Sequence, residues 1–237
     1  MLKALILAGG LGTRLKKIVD NVPKPMADIN GNPFLRYLLD YLINEGVSKI
    51  FISTGYKSQI ITNYFGKIYR GVEIEYSIET SQLGTGGAIS FFEKKHLNNE
   101  SILILNGDSF FPINLRNFIL ESEIKKTNFS IALFKSSDFQ RYSQVNINDE
   151  HEIINFGSKL KHKKSFFVNG GIYYVNLSEL KHYLNLEPPF SLENDLIPYI
   201  LNKKFKMHGF YFKSPFLDIG IPEDYLRSSS WFIKHLH

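Results

Sequence analysis

Short apolar runs alternate with amphipathic segments through the first half of the chain. Leucines at positions 35, 38, 39 and 42 have the i, i+3, i+4, i+7 spacing of one buried helix face. The apolar runs predict strands at 3–8, 49–53, 72–77 and 101–105. Helices are predicted between them at 32–44, 57–65 and 86–96. This alternation predicts crossover units and a largely parallel sheet.

The second half of the chain has a different pattern. Strands are predicted at 129–135, 142–146, 152–156, 166–175 and 205–212, and helices at 177–184, 192–202 and near 222–235. Because several strands follow one another without a helix, this half is predicted to be more antiparallel. No Pro-, Gly- or Ser-rich linker separates the halves, so we predict one α/β domain over 1–237, with halves at 1–127 and 128–237.

Composition narrows the class of protein. Hydrophobic residues make up 43% of the chain, which also holds 20 Phe and 13 Tyr, as is typical of a folded domain. The lack of cysteine excludes disulfides and thiolate metal sites, and we expect a cytoplasmic location. No apolar run approaches the ~18 residues of a membrane span. The net charge of +5 is spread along the chain, apart from a cluster at 161–164, so we expect neither a nucleic-acid nor a membrane partner.

A glycine-rich loop directly follows the first predicted strand. Residues 7–15 read LAGGLGTRL, which places three glycines where the ligands of α/β sheets bind. Such glycines let backbone N–H groups approach an anion. Arg14 follows the glycines, and Lys24 lies between two prolines that restrict its backbone. The loop matches neither the Rossmann motif nor the P-loop, but it predicts a phosphate site with two cations.

Two aspartates follow apolar runs that are far apart in sequence. Asp108 comes after the predicted strand at 101–105 through an Asn-Gly turn, and Asp218 follows a second apolar and aromatic run. Paired carboxylates suit Mg²⁺, which prefers oxygen ligands and bridges substrate phosphates. A turn or capping role for either aspartate is the alternative.

Several segments together resemble the sugar-1-phosphate nucleotidyltransferase family. They are the loop at 7–15, VPKPM at 22–26, LGTGGA at 83–88, LNGDS at 105–109, VNGGIY at 168–173 and FLDIGIPEDY at 216–225. They occur in the family's order and cover essentially the whole chain. Within the family, the sequence looks most like the bacterial D-glycero-D-manno-heptose 1-phosphate guanylyltransferases. The resemblance implies a Rossmann-like three-layer fold with a mixed, mainly parallel sheet, a nucleotide-binding first half and a sugar-binding second half.

The resemblance also implies a reaction. The phosphate oxygen of a sugar 1-phosphate attacks the α-phosphorus of a nucleoside triphosphate (NTP) in line, and pyrophosphate leaves without a covalent enzyme intermediate. The enzyme then works by positioning and by electrostatic stabilisation. The expected substrates are GTP and D-glycero-α-D-manno-heptose 1-phosphate, which give a GDP-heptose for capsule, lipopolysaccharide or S-layer glycans.

Several alternatives stay open at this point. One is a mannose-1-phosphate guanylyltransferase, and another is a glucose-1-phosphate uridylyl- or thymidylyltransferase. An alternative of another class is a regulatory subunit that binds a sugar nucleotide without turnover. The sequence also leaves open whether the chain forms a homo-oligomer.

The resemblance assigns roles to particular residues. Arg14, Lys24 and Asp108 are the expected catalytic residues, and Asp108 with Asp218 is expected to hold the Mg²⁺ cofactor. Glu79 replaces a glutamine of thymidylyl relatives, and its oxygens could accept hydrogen bonds from guanine N1–H and N2–H₂ or from uracil N3–H. The expected nucleotide-binding residues are Leu7, Gly9, Gly10, Gly12, Thr13, Glu79, Gly84 and Thr85.

The sugar side departs from the family pattern at one point. Lys159 matches the family lysine that contacts the sugar phosphate, but relatives read Glu-Lys where this chain has Ser-Lys. The missing glutamate would be a hydroxyl acceptor, so the identity of the sugar is left open. The expected sugar-phosphate-binding residues are Lys159, Asn169 and Gly170, with a turn or bulge as the alternative role of the Asn-Gly-Gly segment.

Overall fold

A computed structural model describes residues 1–10, 12, 15, 19, 21–96, 100–138, 140–158 and 165–235, without the side chain of Ser158. The strands are β1 Lys3–Leu7, β2 Asp28–Ile29, β3 Asn32–Pro33, β4 Lys49–Thr54, β5 Ile68–Tyr69, β6 Val72–Ile78, β7 Ser101–Asn106, β8 Ser109–Phe110, β9 Phe129–Ser136, β10 Gln144–Ile147, β11 Ile153–Ser158, β12 Phe166–Asn176, β13 Met207–Tyr211 and β14 Leu217–Asp218. The helices are α1 Phe34–Asn44, α2 Ser58–Phe65, α3 Gly84–Lys95, α4 Leu115–Ile124, α5 Leu177–Leu180, α6 Ile197–Asn202 and α7 Pro222–His235. A π-helix at Leu192–Leu196 leads into α6, and 3-10 turns lie at Lys24–Met26 and Lys181–Tyr183.

The chain divides into two compact units, and the first consists of Met1–Gln82, Leu105–Pro112 and Pro215–His237. In this unit β4 pairs in parallel with β1 and with β6, and β5 pairs antiparallel with β6. Residues 50–54 of β4 are all buried, as expected for a central parallel strand. The carboxyl ends of β1, β4 and β6 therefore meet at one edge, where the glycine-rich loop begins.

The second unit consists of Leu83–Ile104 and Ile113–Ser214. In it β12 pairs antiparallel with β9 and with β10, β10 pairs antiparallel with β11, and β13 pairs parallel with β9. The predicted antiparallel character of this part of the chain is confirmed. A single domain with halves at 1–127 and 128–237 stays a prediction.

The predicted elements of the first half are confirmed, with small shifts at their ends. The leucine face of α1 is 0–1% exposed, so the helical spacing correctly located a core face. The helix begins at Phe34 instead of residue 32 because Asn32 and Pro33 pair with β2. No helix in the described part of the chain is both long and apolar enough to cross a lipid bilayer.

Candidate active site

The glycine-rich loop leaves β1 beside the end of β4. Leu7 is the last residue of β1, and the next N–H, that of Ala8, donates to Ser53 O at 2.8 Å. Gly12 has a φ of +60°, and a Cβ there would lie 3.0 Å from Lys24 Cβ. A side chain at position 12 would therefore be strained and would press against Lys24. At Gly10, by contrast, an added Cβ would meet nothing within 4 Å, so this part of the loop has room for a ligand.

Lys24 is held by a rigid segment and reaches a carboxylate. Pro23 is extended at ψ 148°, and Pro25 lies in the first turn of the 3-10 helix, so the backbone on both sides of the lysine is restricted. The Lys24 side chain is 12% exposed, and its Nζ donates to Asp108 Oδ2 at 2.6 Å. The structure thus brings together two of the residues that the sequence analysis expected to be catalytic.

The two expected metal-binding aspartates lie at a short antiparallel ladder between β8 and β14: Asp218 is part of β14, and Asp108 directly precedes β8. Asp218 pairs with Ser109, and the Ile219 N–H donates to Asp108 O at 3.0 Å, so the two aspartates lie next to each other across the ladder. Asp218 Oδ1 also accepts a hydrogen bond from Gly220 N at 2.6 Å. Asp218 therefore has a local turn-capping role, while its role in metal binding stays a prediction.

The two carboxylates and Lys24 face a common space. A Cβ at Gly220 would lie 2.7 Å from Asp218 Oδ1 and 3.2 Å from Lys24 Nζ, while Lys24 is bonded to Asp108. Within the described residues, no group of three or more His, Cys, Asp or Glu side chains could hold a metal ion. Mg²⁺ usually takes only one or two carboxylates and completes its shell with water and substrate phosphates. This pair of carboxylates fits that requirement.

Glu79 follows β6 and lies against the glycine-rich loop. Its N–H donates to Thr54 O at 2.8 Å, and its Oε1 accepts a hydrogen bond from Ser53 Oγ at 2.8 Å. A Cβ at Gly9 would lie only 2.3 Å from Glu79 Oε1, so the carboxylate and the loop backbone are in close contact. Ser53 is fully buried and was missed by the sequence analysis, although its place at the end of a predicted parallel strand was a usable signal.

Gly84 and Thr85 lie in the second unit, at the start of α3. Gly84 has a φ of +75°, and a Cβ there would lie 2.4 Å from the backbone oxygen of Phe190. The N–H groups of Gly86 and Gly87 donate to the same oxygen at 3.0 and 3.2 Å. The glycines of the LGTGGA segment thus allow a close backbone approach within this unit, and Thr85 Oγ1 accepts a hydrogen bond from Leu192 N at 2.7 Å.

Asn169 and Gly170 lie at a bulge in β12, also in the second unit. The register of β12 against β9 shifts between Asn169 and Tyr173, and Asn169 Oδ1 accepts a hydrogen bond from Gly171 N at 2.9 Å. The alternative of a bulge in this segment is therefore correct as geometry. It does not oppose a binding role, because bulges often redirect side chains beside active sites.

Three of the expected site residues, Thr13, Arg14 and Lys159, lie outside the described residues, as does the cluster at 161–164. In the first unit the structure brings together Gly12, Lys24, Asp108 and Asp218, and separately Gly9 with Glu79. The second unit holds the segments of Gly84 and Thr85 and of Asn169 and Gly170. The arrangement in the first unit offers a cation, two carboxylates and an open glycine loop, which is suited to binding a polyphosphate together with a divalent ion.

Comparison with known proteins agrees with this geometry. The chain is 40% identical over 224 residues to a D-glycero-alpha-D-manno-heptose 1-phosphate guanylyltransferase of Campylobacter jejuni, covering 94% of this chain and 97% of the relative. It is also 40% identical over 228 residues to a protein of the same name from Aneurinibacillus thermoaerophilus, covering 96% of each.

A solved structure of HddC from Yersinia pseudotuberculosis complexed with GMP-PN superposes with a TM-score of 0.82 and 33% identity, covering 98% of this chain and all of that chain. The predicted mixed sheet with flanking helices is thereby confirmed as the Rossmann-like fold of the nucleotide-sugar transferases. The model of the nucleotidyl transferase family matches residues 3–234, and the chain therefore belongs to this family.

Proposed function

We propose that the chain transfers GMP from GTP to D-glycero-α-D-manno-heptose 1-phosphate in the cytoplasm, producing a GDP-heptose and pyrophosphate. The proposal is supported by the two relatives of that name, each 40% identical over nearly the full chain. The main structural observation in support of the proposal is the cluster of Lys24, Asp108 and Asp218, which lies in the same unit as the glycine loop.

The triphosphate is assigned to the glycine loop and Lys24. The backbone N–H groups at Gly9, Gly10 and Gly12 suit phosphate oxygens, and the open space at Gly10 admits them. Arg14 is also assigned to the triphosphate, because of its position in the motif. The Lys24 ammonium has three N–H donors, so it can contact a phosphate oxygen while it remains close to Asp108.

Asp108 and Asp218 are assigned to Mg²⁺. Enzymes of this family generally use a divalent metal ion. When bound, Mg²⁺ would supply positive charge to the phosphate oxygens of the substrate. The task of the chain itself is to hold the two aspartates side by side, and the backbone hydrogen bonds between the segments of β8 and β14 contribute to this.

Glu79 is assigned to the guanine base. A carboxylate only accepts hydrogen bonds, and guanine presents two adjacent donors at N1 and N2, whereas uracil and thymine present one at N3. The hydrogen bond from the buried Ser53 hydroxyl fixes the carboxylate beside Gly9. The proposal of GTP is further supported by the similar HddC structure, whose ligand GMP-PN carries GMP in its name.

The sugar phosphate is assigned to Lys159, Asn169 and Gly170. An asparagine amide both donates and accepts hydrogen bonds, so it can bridge sugar hydroxyls, and a glycine leaves room for a sugar ring. The in-line attack breaks the bond between the α-phosphorus and the bridging oxygen of pyrophosphate as the new P–O bond forms. Positioning of the two substrates and stabilisation of the migrating charge then account for the rate.

The non-catalytic alternative has less support. A subunit that only binds sugar nucleotides would not need the Lys24 ammonium and both carboxylates. In this chain Lys24 contacts Asp108, and the Asp108 backbone oxygen accepts a hydrogen bond from the residue after Asp218. Transfer of GMP to mannose 1-phosphate differs from the proposed reaction only in the sugar, so the nucleotide site does not distinguish the two activities. An assay with both sugar 1-phosphates does.

A panel assay tests the proposal. Pyrophosphate release is measured with four nucleoside triphosphates, each against the 1-phosphates of the heptose, mannose and glucose, with Mg²⁺ present. The expected result is the highest kcat/KM for GTP with the heptose 1-phosphate. A preference for UTP or dTTP would reject the role of Glu79, and GTP binding without pyrophosphate release from any pair would favour the regulatory subunit.

A further inference from the structure

One carboxylate outside the expected site residues connects two expected binding segments of the second unit. Glu193 lies in the π-helix at Leu192–Leu196. Its Oε2 accepts a hydrogen bond from Thr85 Oγ1 at 3.1 Å, and its Oε1 accepts one from the Tyr173 hydroxyl at 3.0 Å. The Tyr173 oxygen in turn accepts a hydrogen bond from Asn169 Nδ2 at 2.6 Å. Glu193 is thus bonded directly to the nucleotide segment and, through one hydroxyl, to the sugar segment.

The carboxylate gives this chain of hydrogen bonds a fixed direction. A carboxylate has no hydrogen to donate, so both hydroxyl groups must donate to Glu193. Thr85 Oγ1 then uses a lone pair to accept the Leu192 N–H, and the Tyr173 oxygen uses one to accept the Asn169 amide N–H. Neither hydroxyl can turn without breaking two bonds.

The orientation of the Asn169 amide follows from this direction. Its Oδ1 accepts a hydrogen bond from Gly171 N inside the bulge of β12, and its Nδ2 donates to Tyr173. An exchange of the amide oxygen and nitrogen would place two donors, or two acceptors, against each other. The second N–H of Nδ2 and the second lone pair of Oδ1 therefore each have a fixed orientation, which suits an amide that recognises the hydroxyl groups of a sugar.

The surroundings make the network stiff. The Tyr173 side chain is fully buried, and hydrogen bonds in such low-dielectric surroundings strengthen one another. The Ser191 hydroxyl also donates to Glu193 Oε2, at 3.2 Å, and accepts from the N–H groups of Glu193 and Asn194 at the start of the π-helix. Single-turn π-helices are frequent at functional sites, which is consistent with a helix shaped to place this one side chain.

We propose that Glu193 is a positioning residue that couples the nucleotide-binding segment at Thr85 to the sugar-binding segment at Asn169 and thereby helps to set the affinity for both substrates. This inference rests on the proposed function, in which Thr85 contacts the nucleotide and Asn169 the sugar. If Glu193 transmits orientation, a change at one end of the network alters substrate binding at the other end.

Three variants, one conservative variant and one control test the coupling. Glu193→Gln removes one of the two acceptor oxygens, Tyr173→Phe removes the bridging hydroxyl, and Thr85→Val removes the donor on the nucleotide side. Thr85→Ser keeps the hydroxyl and is the conservative variant, which should reverse the effect of Thr85→Val on the KM of the sugar 1-phosphate. Glu187→Gln, a change at an exposed carboxylate outside the network, is the control.

The measured quantities are KM for GTP, KM for the sugar 1-phosphate, kcat and the melting temperature of each full-length variant. We expect Glu193→Gln to raise both KM values by about tenfold, the scale of one lost hydrogen bond to a charged group. The diagnostic results are the cross effects. Thr85→Val is expected to raise the KM of the sugar 1-phosphate by about threefold or more, and Tyr173→Phe is expected to raise the KM of GTP by a similar factor. Thr85→Ser is expected to bring the KM of the sugar 1-phosphate back towards the wild-type value, and Glu187→Gln is expected to leave both KM values unchanged.

The outcomes separate the two proposals. A wild-type protein that turns over no sugar 1-phosphate rejects the proposed function, and the coupling is rejected with it. If the wild type is active but Glu193→Gln leaves both KM values unchanged, only the coupling is rejected. The coupling is also rejected if the cross effects of Thr85→Val and Tyr173→Phe are equally large in double variants that also carry Glu193→Gln. A fall in melting temperature without any change in KM identifies the network as purely structural and also overturns the inference.

Discussion

Replacement of Gly9 by alanine is expected to damage guanine selectivity, because the added methyl group displaces Glu79. An ideal Cβ at Gly9 lies 2.3 Å from Glu79 Oε1 and 2.8 Å from Glu79 Cδ, and real Cβ contacts are essentially never shorter than 3.0 Å. The carboxylate must therefore move by about 0.7 Å or more. A shift of this size breaks or weakens the 2.8 Å hydrogen bond from Ser53, since hydrogen bonds weaken at donor–acceptor distances beyond about 3.2 Å.

Two costs follow from the displacement of Glu79. The Ser53 hydroxyl is fully buried, and leaving a buried donor without its acceptor costs about 1–3 kcal/mol of unfolding free energy. The base loses a hydrogen bond to a charged group, which corresponds to about a tenfold loss in the ratio of kcat/KM for GTP to that for UTP. Urea denaturation measures the first cost, and pyrophosphate release with each nucleotide measures the second.

Gly10→Ala is the matched control for this experiment. An added Cβ at Gly10 meets nothing within 4 Å, so we expect wild-type stability. Its methyl group would weaken binding of every nucleoside triphosphate alike, because the space beside the backbone is assigned to phosphate, and the ratio of GTP to UTP is expected to stay constant. An unchanged ratio in Gly9→Ala, or an equal loss in both variants, would refute the assignment of Glu79 to the base.

Three further predictions concern other parts of the molecule. Asp108→Asn is expected to cut turnover by about 10²-fold or more, because the charge of Asp108 is assigned to the metal ion. The melting temperature should change little, because the Asp108 side chain is 41% exposed. Near-normal turnover would exclude Asp108 from metal binding. Gly84 has a φ of +75°, and a Cβ added there would lie 2.4 Å from the Phe190 oxygen, so Gly84→Ala is expected to lower the free energy of unfolding in urea. Gly71→Ala is the control: Gly71 has a φ of +82° but open space around it, so this variant should lose only the ~1–2 kcal/mol of backbone strain, less than Gly84→Ala. Burial lowers the pKa of His208 below its ordinary value of 6.5, so its stabilising contribution is present above pH 6.5 and is lost as the pH falls through the lower folded pKa. The free energy of unfolding should fall as the pH drops below 6.5, and a fall of the same size in His208→Phe would exclude this residue as the cause.

Periodicity located the elements whose sequence pattern matches their burial. The leucines of α1 form one buried face and were predicted from their spacing, and the residues of β4 lie in a central parallel strand and were predicted from their apolar run. The helix α4 was not predicted. Its Leu120 and Ile124 are 54% and 64% exposed, so its apolar positions do not mark a single buried face. The only clear local signal is Asn114, whose side chain caps the helix.

The site was predicted where residue type and position at a strand end both point to chemistry. Asp108 follows this rule, whereas Lys24 was predicted from the prolines on both sides of it, and the structure brings the two side chains into contact. Ser53 and Glu193 were missed because a serine in a strand and a glutamate in a helix are common. Only Ser53 had a positional signal, at the end of a predicted parallel strand. Their roles depend on contacts over 26 and 108 residues of sequence, with Glu79 and Thr85, and such pairings are set by the tertiary fold.

The assignment of Asp108 and Asp218 to one divalent ion is tested most directly by Mn²⁺ binding, measured by electron paramagnetic resonance in the presence of GTP. The wild-type protein is expected to bind one Mn²⁺ tightly, and Asp108→Asn and Asp218→Asn are each expected to weaken that binding by at least tenfold while the protein remains folded. Glu187→Gln, an exposed carboxylate change in the second unit, serves as the control and should bind as the wild type does. Unchanged Mn²⁺ affinity in both aspartate variants would contradict the account.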